Sequence, residues 1–259
     1  MKITNVTPEI DIHDYQYRPP RYVCELDGKI IKFVTSTENA KLRAETIMSS
    51  EPETIDWINS FTEGEILYDI GANVGSYSLY AAIMKDVNVV AFEPEAHTFA
   101  LLNYNIFLNA VSDKLTAYNI AISDEEAMTN LYLNFFGAGT SCSSVSEPVS
   151  NYDAFNEKGL ETLEPKYVQG VFSASLDHLV YDKGLTAPHH IKIDVDGFEH
   201  KVIAGADRLL KSGTVKTLLV EINKFMQEHR DIVSRLTAEG YEVQDIGTAN
   251  LIFRRSVKP

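Results

Sequence analysis

Apolar positions follow two periods along this chain. From residue 65 onward, short apolar runs alternate with stretches whose apolar residues recur every three or four positions. The runs at 65–70, 87–92, 115–121, 190–194, 215–222, 241–245 and 250–254 predict strands. The longer spacing at 76–85, 96–109, 197–211 and 225–239 predicts helices. Phe99, Leu102 and Ile106 share one helix face; Phe198, Val202, Ile203, Ala206, Leu209 and Leu210 share another. Strand and helix in alternation build a mostly parallel sheet covered on both sides. Gly247-Thr-Ala-Asn joins the last two strands in a turn too short for a crossover helix, so that pair is antiparallel. The expected fold is α/β: a doubly wound, mostly parallel, seven-stranded Rossmann-like sheet with an antiparallel C-terminal hairpin.

Two regions break the alternation. Residues 1–60 precede it and form an N-terminal extension packing on the core domain of 61–259. Tyr22–Leu26 and Lys29–Val34 flank Asp27-Gly28, which suits the type I′ turn of a hairpin. Pro52 starts a helix that runs to Phe61, with Ile55, Ile58 and Phe61 on one side. The extension either covers an edge or the mouth of a site, or is a plain structural addition. The second break is an insert near 123–189. Phe135-Phe-Gly-Ala-Gly-Thr-Ser-Cys-Ser-Ser-Val145 is rich in small polar residues, and Tyr152 to Lys166 is acidic and aromatic. A long insert between sheet strands serves as a lid or substrate surface, or is a mobile loop.

The chemistry concentrates at strand ends. Leu67-Tyr-Asp-Ile-Gly-Ala-Asn-Val-Gly-Ser-Tyr77 reads as strand, tight loop and helix. In a doubly wound sheet a nucleotide-like cofactor lies at such a loop. A dinucleotide loop reads G-x-G-x-x-G, because backbone must approach a pyrophosphate. Here Asn73 stands at the second glycine and Ser76 at the third. Asp69 would repel a phosphate and attract a cation. S-adenosylmethionine carries an ammonium and a sulfonium, and its carboxylate suits the helix N-terminus at Ser76 and Tyr77. Glu93-Pro94 closes the next strand about twenty residues later, the distance at which an acid reaches ribose hydroxyls. Glycine turns also occur between strand and helix without a ligand, and an acid after a strand also caps helices.

A second constellation is His189-His-Ile-Lys-Ile-Asp-Val-Asp-Gly-Phe-Glu-His200. Lys192 and Asp194 share the strand face opposite Ile191 and Ile193. Charge inside a sheet is costly unless paired, so the two are expected to pair. Asp194 sits at the strand's carboxyl end, where such sheets bind ligands; Asp196 and Glu199 follow it. Glu221 and Asn223 end the next strand. Asp194, Glu221 and Asn223 form an oxygen set that suits Mg²⁺, unless Glu221 only bonds backbone or pairs with Lys192. The seven histidines show no H-x-x-x-H spacing and are expected mostly at the surface. His200 is the best placed of them for acid–base work.

Composition narrows the class. The chain has 259 residues, 44% of them hydrophobic, enough for a sizeable core. Its formal net charge of −14, from 37 acids and 23 bases, disfavours nucleic acid and anionic membrane. Cys24 and Cys142 make neither a disulfide framework nor a metal cluster, which suits a reducing compartment. The Met1–Glu9 start lacks the apolar core of a signal peptide, and no run is long enough to span a bilayer. A soluble cytoplasmic protein with a small-molecule substrate is expected. Homo-oligomerisation is left open.

These residues resemble a known family. The glycine-loop segment, Ala91-Phe-Glu-Pro94, and above all Ile191-Lys-Ile-Asp-Val-Asp-Gly-Phe-Glu199 are similar to FkbM-type methyltransferases, as is Glu51-Pro-Glu-Thr-Ile-Asp-Trp57. The resemblance covers roughly residues 40–225. A parallel sheet ending in an antiparallel hairpin is also the pattern of class I methyltransferases. Many members carry Glu where this chain has Asp196. The resemblance implies S-adenosylmethionine-dependent O-methylation of hydroxyls on sugars, nucleotide-activated ones for surface polysaccharide included, or on natural products. Asp69, Gly71, Asn73, Gly75 and Tyr77 would surround the methionine end, Glu93 would hold the ribose, and Asn119 or Ala121 would border the adenine. Asp194 is then the expected base, with Lys192 tuning it. Two other classes stay in view: a nicotinamide-dependent oxidoreductase and a non-catalytic cofactor-binding module.

Overall fold

The computed structural model describes residues 18–141, 143–150, 161–162 and 164–256. The Met1–Glu9 start, Cys142 and most of the acidic, aromatic tract at 152–166 lie outside the described residues. The expected hairpin is present: β1 (Arg21–Leu26) pairs antiparallel with β2 (Lys29–Val34). Asp27 and Gly28 both take positive φ, 48° and 77°, as a type I′ turn requires. α1 (Glu38–Glu45) follows, capped by the Thr37 hydroxyl, which accepts from the Ala40 N–H. No helix was expected there, because its small apolar residues give no stripe. α2 (Pro52–Asn59) opens at Pro52 and ends two residues early, where the Ser60 hydroxyl donates to the Trp57 carbonyl.

The central alternation runs β3 (Ile66–Ile70), α3 (Ser76–Lys85), β4 (Asn88–Phe92), α4 (Ala96–Asn109) and β5 (Leu115–Tyr118). The chain then leaves the main sheet. β6 (Ala121–Ile122), β7 (Ala127–Leu133) and β8 (Ser143–Val145) belong to a second sheet; β9 (Val149–Ser150) pairs only with β10 (Glu161–Thr162) among the described residues. β11 (Tyr167–Ala174) completes the second sheet, in the order β6-β11-β7-β8. After α5 (Leu176–Tyr181) the chain returns through β12 (His190–Ile193), α6 (Glu199–Ala204), α7 (Asp207–Lys211), β13 (Thr217–Glu221), α8 (Gln227–Ala238), β14 (Tyr241–Asp245) and β15 (Asn250–Arg255).

The main sheet has the order β14-β15-β13-β12-β3-β4-β5. Its pairs are parallel except where β15 meets β13 and β14. This is the expected seven-stranded, mostly parallel sheet with an antiparallel end. Alternate residues feed two cores. Leu67, Val89, Ala91 and Leu219 face α2 and α3, with Trp57, Ile58 and Leu79. Tyr68, Phe92, Ile191, Ile193 and Val220 face the opposite side, with Val202, Leu209 and Ile232. Burial on both faces is what continuous apolar strands signal.

Three expectations needed revision. The predicted strand 115–121 breaks at Asn119, whose Nδ2 donates to the carbonyls of Glu93 and Pro94, and Ala121 then pairs with β11. The predicted helix 197–211 is two helices. Gly205 lies between them, so close to the Ser123 carbonyl that a Cβ would stand 2.2 Å from its oxygen, and the Gly205 carbonyl accepts from the Asp177 N–H. The insert is a built sheet where it is described, not a loose loop.

Asparagines tie the N-terminal arm to the core. Asn105 and Asn109 of α4 accept from the Val34 and Lys32 N–H groups of β2; Asn109 also returns a donor to the Lys32 carbonyl. Side-chain amides thus satisfy a strand edge beside which no further strand lies among the described residues.

Candidate active site

The carboxyl ends of β3, β4 and β12 open onto one cleft, roofed by α1 and by the insert. It encloses about 1240 Å³ of empty space, open solvent included. Strand ends meet here because parallel neighbours all stop on the same side of the sheet.

Asp69 is the residue before the last of β3 and is buried. Its Oδ2 accepts from the Ser78 hydroxyl at 2.5 Å, while Oδ1 is buried without a hydrogen-bond partner. Burial raises its pKa, and Lys192 and Ser78 only partly offset that. The β3–β12 register sets Lys192 beside Asp69. Lys192 is 2% exposed, and its Nζ lies 2.7 Å from Asp194 Oδ2 and 5.2 Å from the centre of the Tyr77 ring. Burial would push the ammonium down, but Asp194, Glu51 and Asp69 hold it well above its ordinary pKa. Asp194 keeps 34% of its side chain exposed, toward the cleft. Burial would raise its carboxyl, and the charge and hydrogen bond of Lys192 outweigh it, leaving the pKa lowered. The expected Lys192–Asp194 pair is therefore formed.

The glycine loop locks β3 against β12 and β4. Gly71 has φ +79°, and a Cβ there would lie 1.9 Å from the Asp194 carbonyl oxygen. The Gly71 and Ala72 N–H groups both donate to the Phe92 carbonyl. The Asn73 N–H donates to Glu93 Oε2 at 2.9 Å, and its Nδ2 donates to the Thr140 carbonyl of the insert at 2.8 Å. Glu93 Oε1 accepts from the Glu95 N–H at 2.8 Å. Each Glu93 oxygen therefore takes one backbone donor and keeps lone-pair capacity toward the cleft. Burial pushes Glu93 up to about 7 against those two backbone donors, with the charges of Glu95 and Asp196 adding to the rise.

Behind the β12 exit, Glu199 and His229 fix the loop that carries Asp194. Glu199 Oε1 accepts from the Val195 N–H at 2.9 Å. His229 Nε2 lies 3.1 Å from Glu199 Oε2 and 3.2 Å from the Gly197 carbonyl, and its Nδ1 accepts from the Asn223 N–H. Nδ1 thus holds a lone pair, and Nε2 carries the proton. Both residues are fully buried.

Of the residues expected from sequence, Asp69, Gly71, Asn73, Tyr77, Glu93, Ala121, Lys192 and Asp194 line the cleft. Gly75, Asn119, His200, Glu221 and Asn223 do not. Gly75 starts α3 at φ +86° against Leu102, so it serves helix packing. Asn119 holds the β4 exit through its Nδ2. His200 turns toward the rings of Phe198 and His229, where burial lowers its pKa. Asn223 is buried with Oδ1 accepting from the Phe225 N–H. Burial raises Glu221, as do the charges of Asp194, Glu199 and Asp196. Among the described residues, no three His, Cys, Asp or Glu side chains are grouped to hold a metal ion. The expected Mg²⁺ set of Asp194, Glu221 and Asn223 gains no support from such a grouping.

Sequence reasoning missed Arg43 and Glu51, which the arm brings to the cleft, and Phe198 and Lys201 of the α6 start. Nothing in the spacing of α1 marked Arg43. The small polar run of the insert did carry a signal: Thr140, Ser141 and Ser143 all line the cleft.

Residues 69–243 match the family model described as Methyltransferase FkbM domain. The chain belongs to the FkbM methyltransferase family. It is 24% identical over 201 residues to the hexuronic acid methyltransferase AglP of Haloferax volcanii, covering 78% of this chain and 74% of that protein. It is 23% identical over 202 residues to the 31-O-demethyl-FK506 methyltransferase FkbM of Streptomyces tacrolimicus, covering 70% and 74%. The solved FkbM methyltransferase of Methylobacillus flagellatus superposes with a TM-score of 0.52 at 14% identity, over 84% of this chain. This chain spans 55% of that structure's length. The FkbM match begins at Asp69 and takes in the glycine loop, Glu93 and the whole β12 exit. No described helix of this FkbM chain is long and apolar enough to cross a membrane.

Proposed function

We propose that the protein is an S-adenosylmethionine-dependent O-methyltransferase whose acceptor is a sugar hydroxyl. One observation carries this most: three carboxylates at adjoining strand ends face one cleft in three different states. Asp69 is buried with an orphaned oxygen, Glu93 is buried with lone pairs to spare, and Asp194 is ionised and part-exposed. An orphaned buried acceptor is costly unless a ligand supplies its donor. The ammonium of the methionine end fits Asp69, and the ribose hydroxyls fit Glu93. Phe92, Ile120, Ile122 and Leu131 offer apolar walls for an adenine. α3 has no side-chain cap, so its first-turn N–H groups at Ser76 and Tyr77 suit the cofactor's carboxylate. A pyrophosphate fits poorly beside Asp69 and the Asn73 side chain.

Bound S-adenosylmethionine supplies a methyl group on a positively charged sulfur, so the protein's main task is alignment. Asp194 is the group placed to receive the acceptor. Its carboxylate accepts the hydroxyl's hydrogen bond and orients one oxygen lone pair toward the methyl carbon. With the cofactor bound, the methyl would pass to the acceptor oxygen with its former bonding pair left on sulfur, and Asp194 would take the hydroxyl proton. Lys192 stays charged throughout and cannot be the base. Its pairing makes Asp194 a weak base at rest, so proton transfer belongs late in the step, when the oxygen has become acidic. The sugar acceptor is supported by one relative, which is called a hexuronic acid methyltransferase.

Two measurements test this. Calorimetric titration should show binding of S-adenosylhomocysteine and no binding of NAD. Methyl-labelled cofactor should then transfer label to hydroxyls within a panel of free, glycosidic and nucleotide-linked sugars. Binding of NAD in place of S-adenosylhomocysteine would overturn the assignment. Label transfer to nitrogen or carbon acceptors alone would leave a methyltransferase of a different specificity.

A further inference from the structure

Arg43 is an unusual group for this cleft. The chain is strongly acidic, and the cleft already holds Glu51, Asp194 and Asp196. Arg43 stands in the last turn of α1, where a cation favours the helix dipole. It does not point out to solvent. Its Nε donates to the Gly139 carbonyl of the insert at 2.9 Å, and the side chain lines the cleft beside Thr46, Ser50 and Ser141. The bond to Gly139 fixes the plane of the guanidinium. Among the described residues no carboxylate forms an ion pair with it, and the bond to Gly139 uses Nε rather than either Nη. Arg43 is near enough to the reacting end to add to the lowering of Asp194 by Lys192 and to oppose the rise that burial gives Tyr77.

Its anchor is itself anchored. Gly139 sits at φ +83° against the Ala40 backbone of α1, its N–H donates to the Thr98 hydroxyl, and Thr37 donates to the Ala138 carbonyl. Arm and insert thus hold one planar, two-pronged cation at the mouth, ahead of any ligand. Such a fork matches a carboxylate in bidentate fashion.

We infer that Arg43 binds a carboxylate on the acceptor, so that the substrate is an acidic sugar rather than a neutral one. This rests on the sugar O-methyltransferase assignment above and narrows it. The cofactor's own carboxylate is the other source of the same chemistry, and the uncapped start of α3 already provides for it. A diphosphate fits less well. Among the described residues the cleft lining carries Glu51, Asp69, Glu93, Glu95, Asp194 and Asp196 against Arg43, Lys192 and Lys201, and Lys192 is already paired with Asp194, so a ligand of more than one negative charge is disfavoured.

The test compares the wild type with Arg43→Gln, which can still donate to the Gly139 carbonyl, and with Arg43→Lys, which keeps charge without the fork. Acceptors are the methyl glycosides of glucuronic acid and glucose; S-adenosylhomocysteine and 5′-methylthioadenosine, which lacks the amino-acid end, are titrated calorimetrically. The wild type should prefer the acid. Arg43→Gln should cut the acid-over-neutral ratio of kcat/KM by roughly 10- to 100-fold, mostly through KM, with Arg43→Lys between. S-adenosylhomocysteine affinity should not change. A selective loss of S-adenosylhomocysteine over 5′-methylthioadenosine would assign Arg43 to the cofactor and overturn the inference. An unchanged ratio overturns it alone, leaving the sugar assignment standing. Transfer to neither sugar, with S-adenosylhomocysteine still bound, sinks both for sugars of this type. A base-labile methyl ester would put the carboxylate at the reacting centre and also refute a purely binding role.

Discussion

Lys192 and Asp194 show how stability and chemistry share two side chains. The ammonium is buried inside a parallel sheet, and its direct carboxylate partner is the group that faces the cleft. Removing one partner of such a pair leaves a charge without compensation, a loss of about 3–5 kcal/mol. Asp194→Asn should therefore lower both activity and stability, and inactivity alone would prove little. The double variant Lys192→Met/Asp194→Asn separates the two. Thermal melts should show the double variant recovering most of the stability lost by the single one. Both should turn over about 10²- to 10⁴-fold more slowly than the wild type. A double variant that regained activity along with its melting temperature would remove Asp194 from the chemistry. The pairing was legible in the sequence, because a charged residue inside an apolar strand must find a partner nearby. The direction of the effect was not: only the buried position of Lys192 shows that it depresses Asp194 and so weakens it as a base.

At the scale of elements, legibility followed the range of the interactions. The seven strands of the main sheet were readable from apolar runs, since both faces are buried and each run speaks for itself. The break between α6 and α7 was not, because it depends on Gly205 meeting the Ser123 carbonyl from a distant segment. The second sheet was hidden for a similar reason. β7 and β11 pair across more than thirty residues, with Met128 and Phe172 exposed on one face. The site was half legible. Acids at strand ends announced themselves; Arg43 did not, because its place depends on where α1 docks. His229 is the clearest miss, expected at the surface and found fully buried. It joins α8 to the Asp194–Glu199 loop and to the β13 exit through the Asn223 N–H. His229→Phe should fill the space but take the Nε2 donor from the Gly197 carbonyl and the acceptor from the Asn223 N–H, and remove the ring beside Glu199, a cost of about 3 kcal/mol. Urea denaturation should register that loss, and hydrogen exchange should quicken at the Val195 and Gly197 amides. Unchanged exchange there would mean that Glu199 holds the loop without help from α8.

The whole molecule separates its ionisable groups by the two ends of the sheet. At the amino ends, charge is satisfied. Burial would raise Glu65, but Lys216 and His190 hold it down to about 2. His190 is pushed down to about 4 by burial, and the Trp57 indole donates to the same Thr217 hydroxyl that His190 Nδ1 meets at 2.8 Å. At the carboxyl ends, Asp69, Glu221 and Glu93 are raised, Glu93 up to about 7, while Asp194 is held down by Lys192. The two ends respond oppositely to pH. A depressed His190 contributes stability above its unfolded pKa of 6.5 and loses it as pH falls toward 4. A raised Glu93 contributes below its unfolded value of 4.5, and that contribution is lost as pH rises through about 7. Their slopes overlap and partly cancel in the wild-type profile, so the useful quantity is a difference. Glu93→Gln removes one titration and leaves the rest. Its fixed penalty, an amide facing the Asn73 and Glu95 N–H groups, does not vary with pH. Relative to the wild type, the melting temperature of Glu93→Gln should therefore climb between pH 4.5 and 7 and level off above. Ribose hydroxyls donate to a carboxylate, so wild-type affinity for S-adenosylhomocysteine should strengthen over the same interval, while Glu93→Gln binds weakly at every pH. A flat stability difference would mean that Glu93 does not titrate in that range. A stability difference of the expected shape without any change in ligand affinity would place the ribose elsewhere in the cleft. Asp69, with its orphaned oxygen, would then be the one acid left to explain cofactor recognition at this end of the sheet.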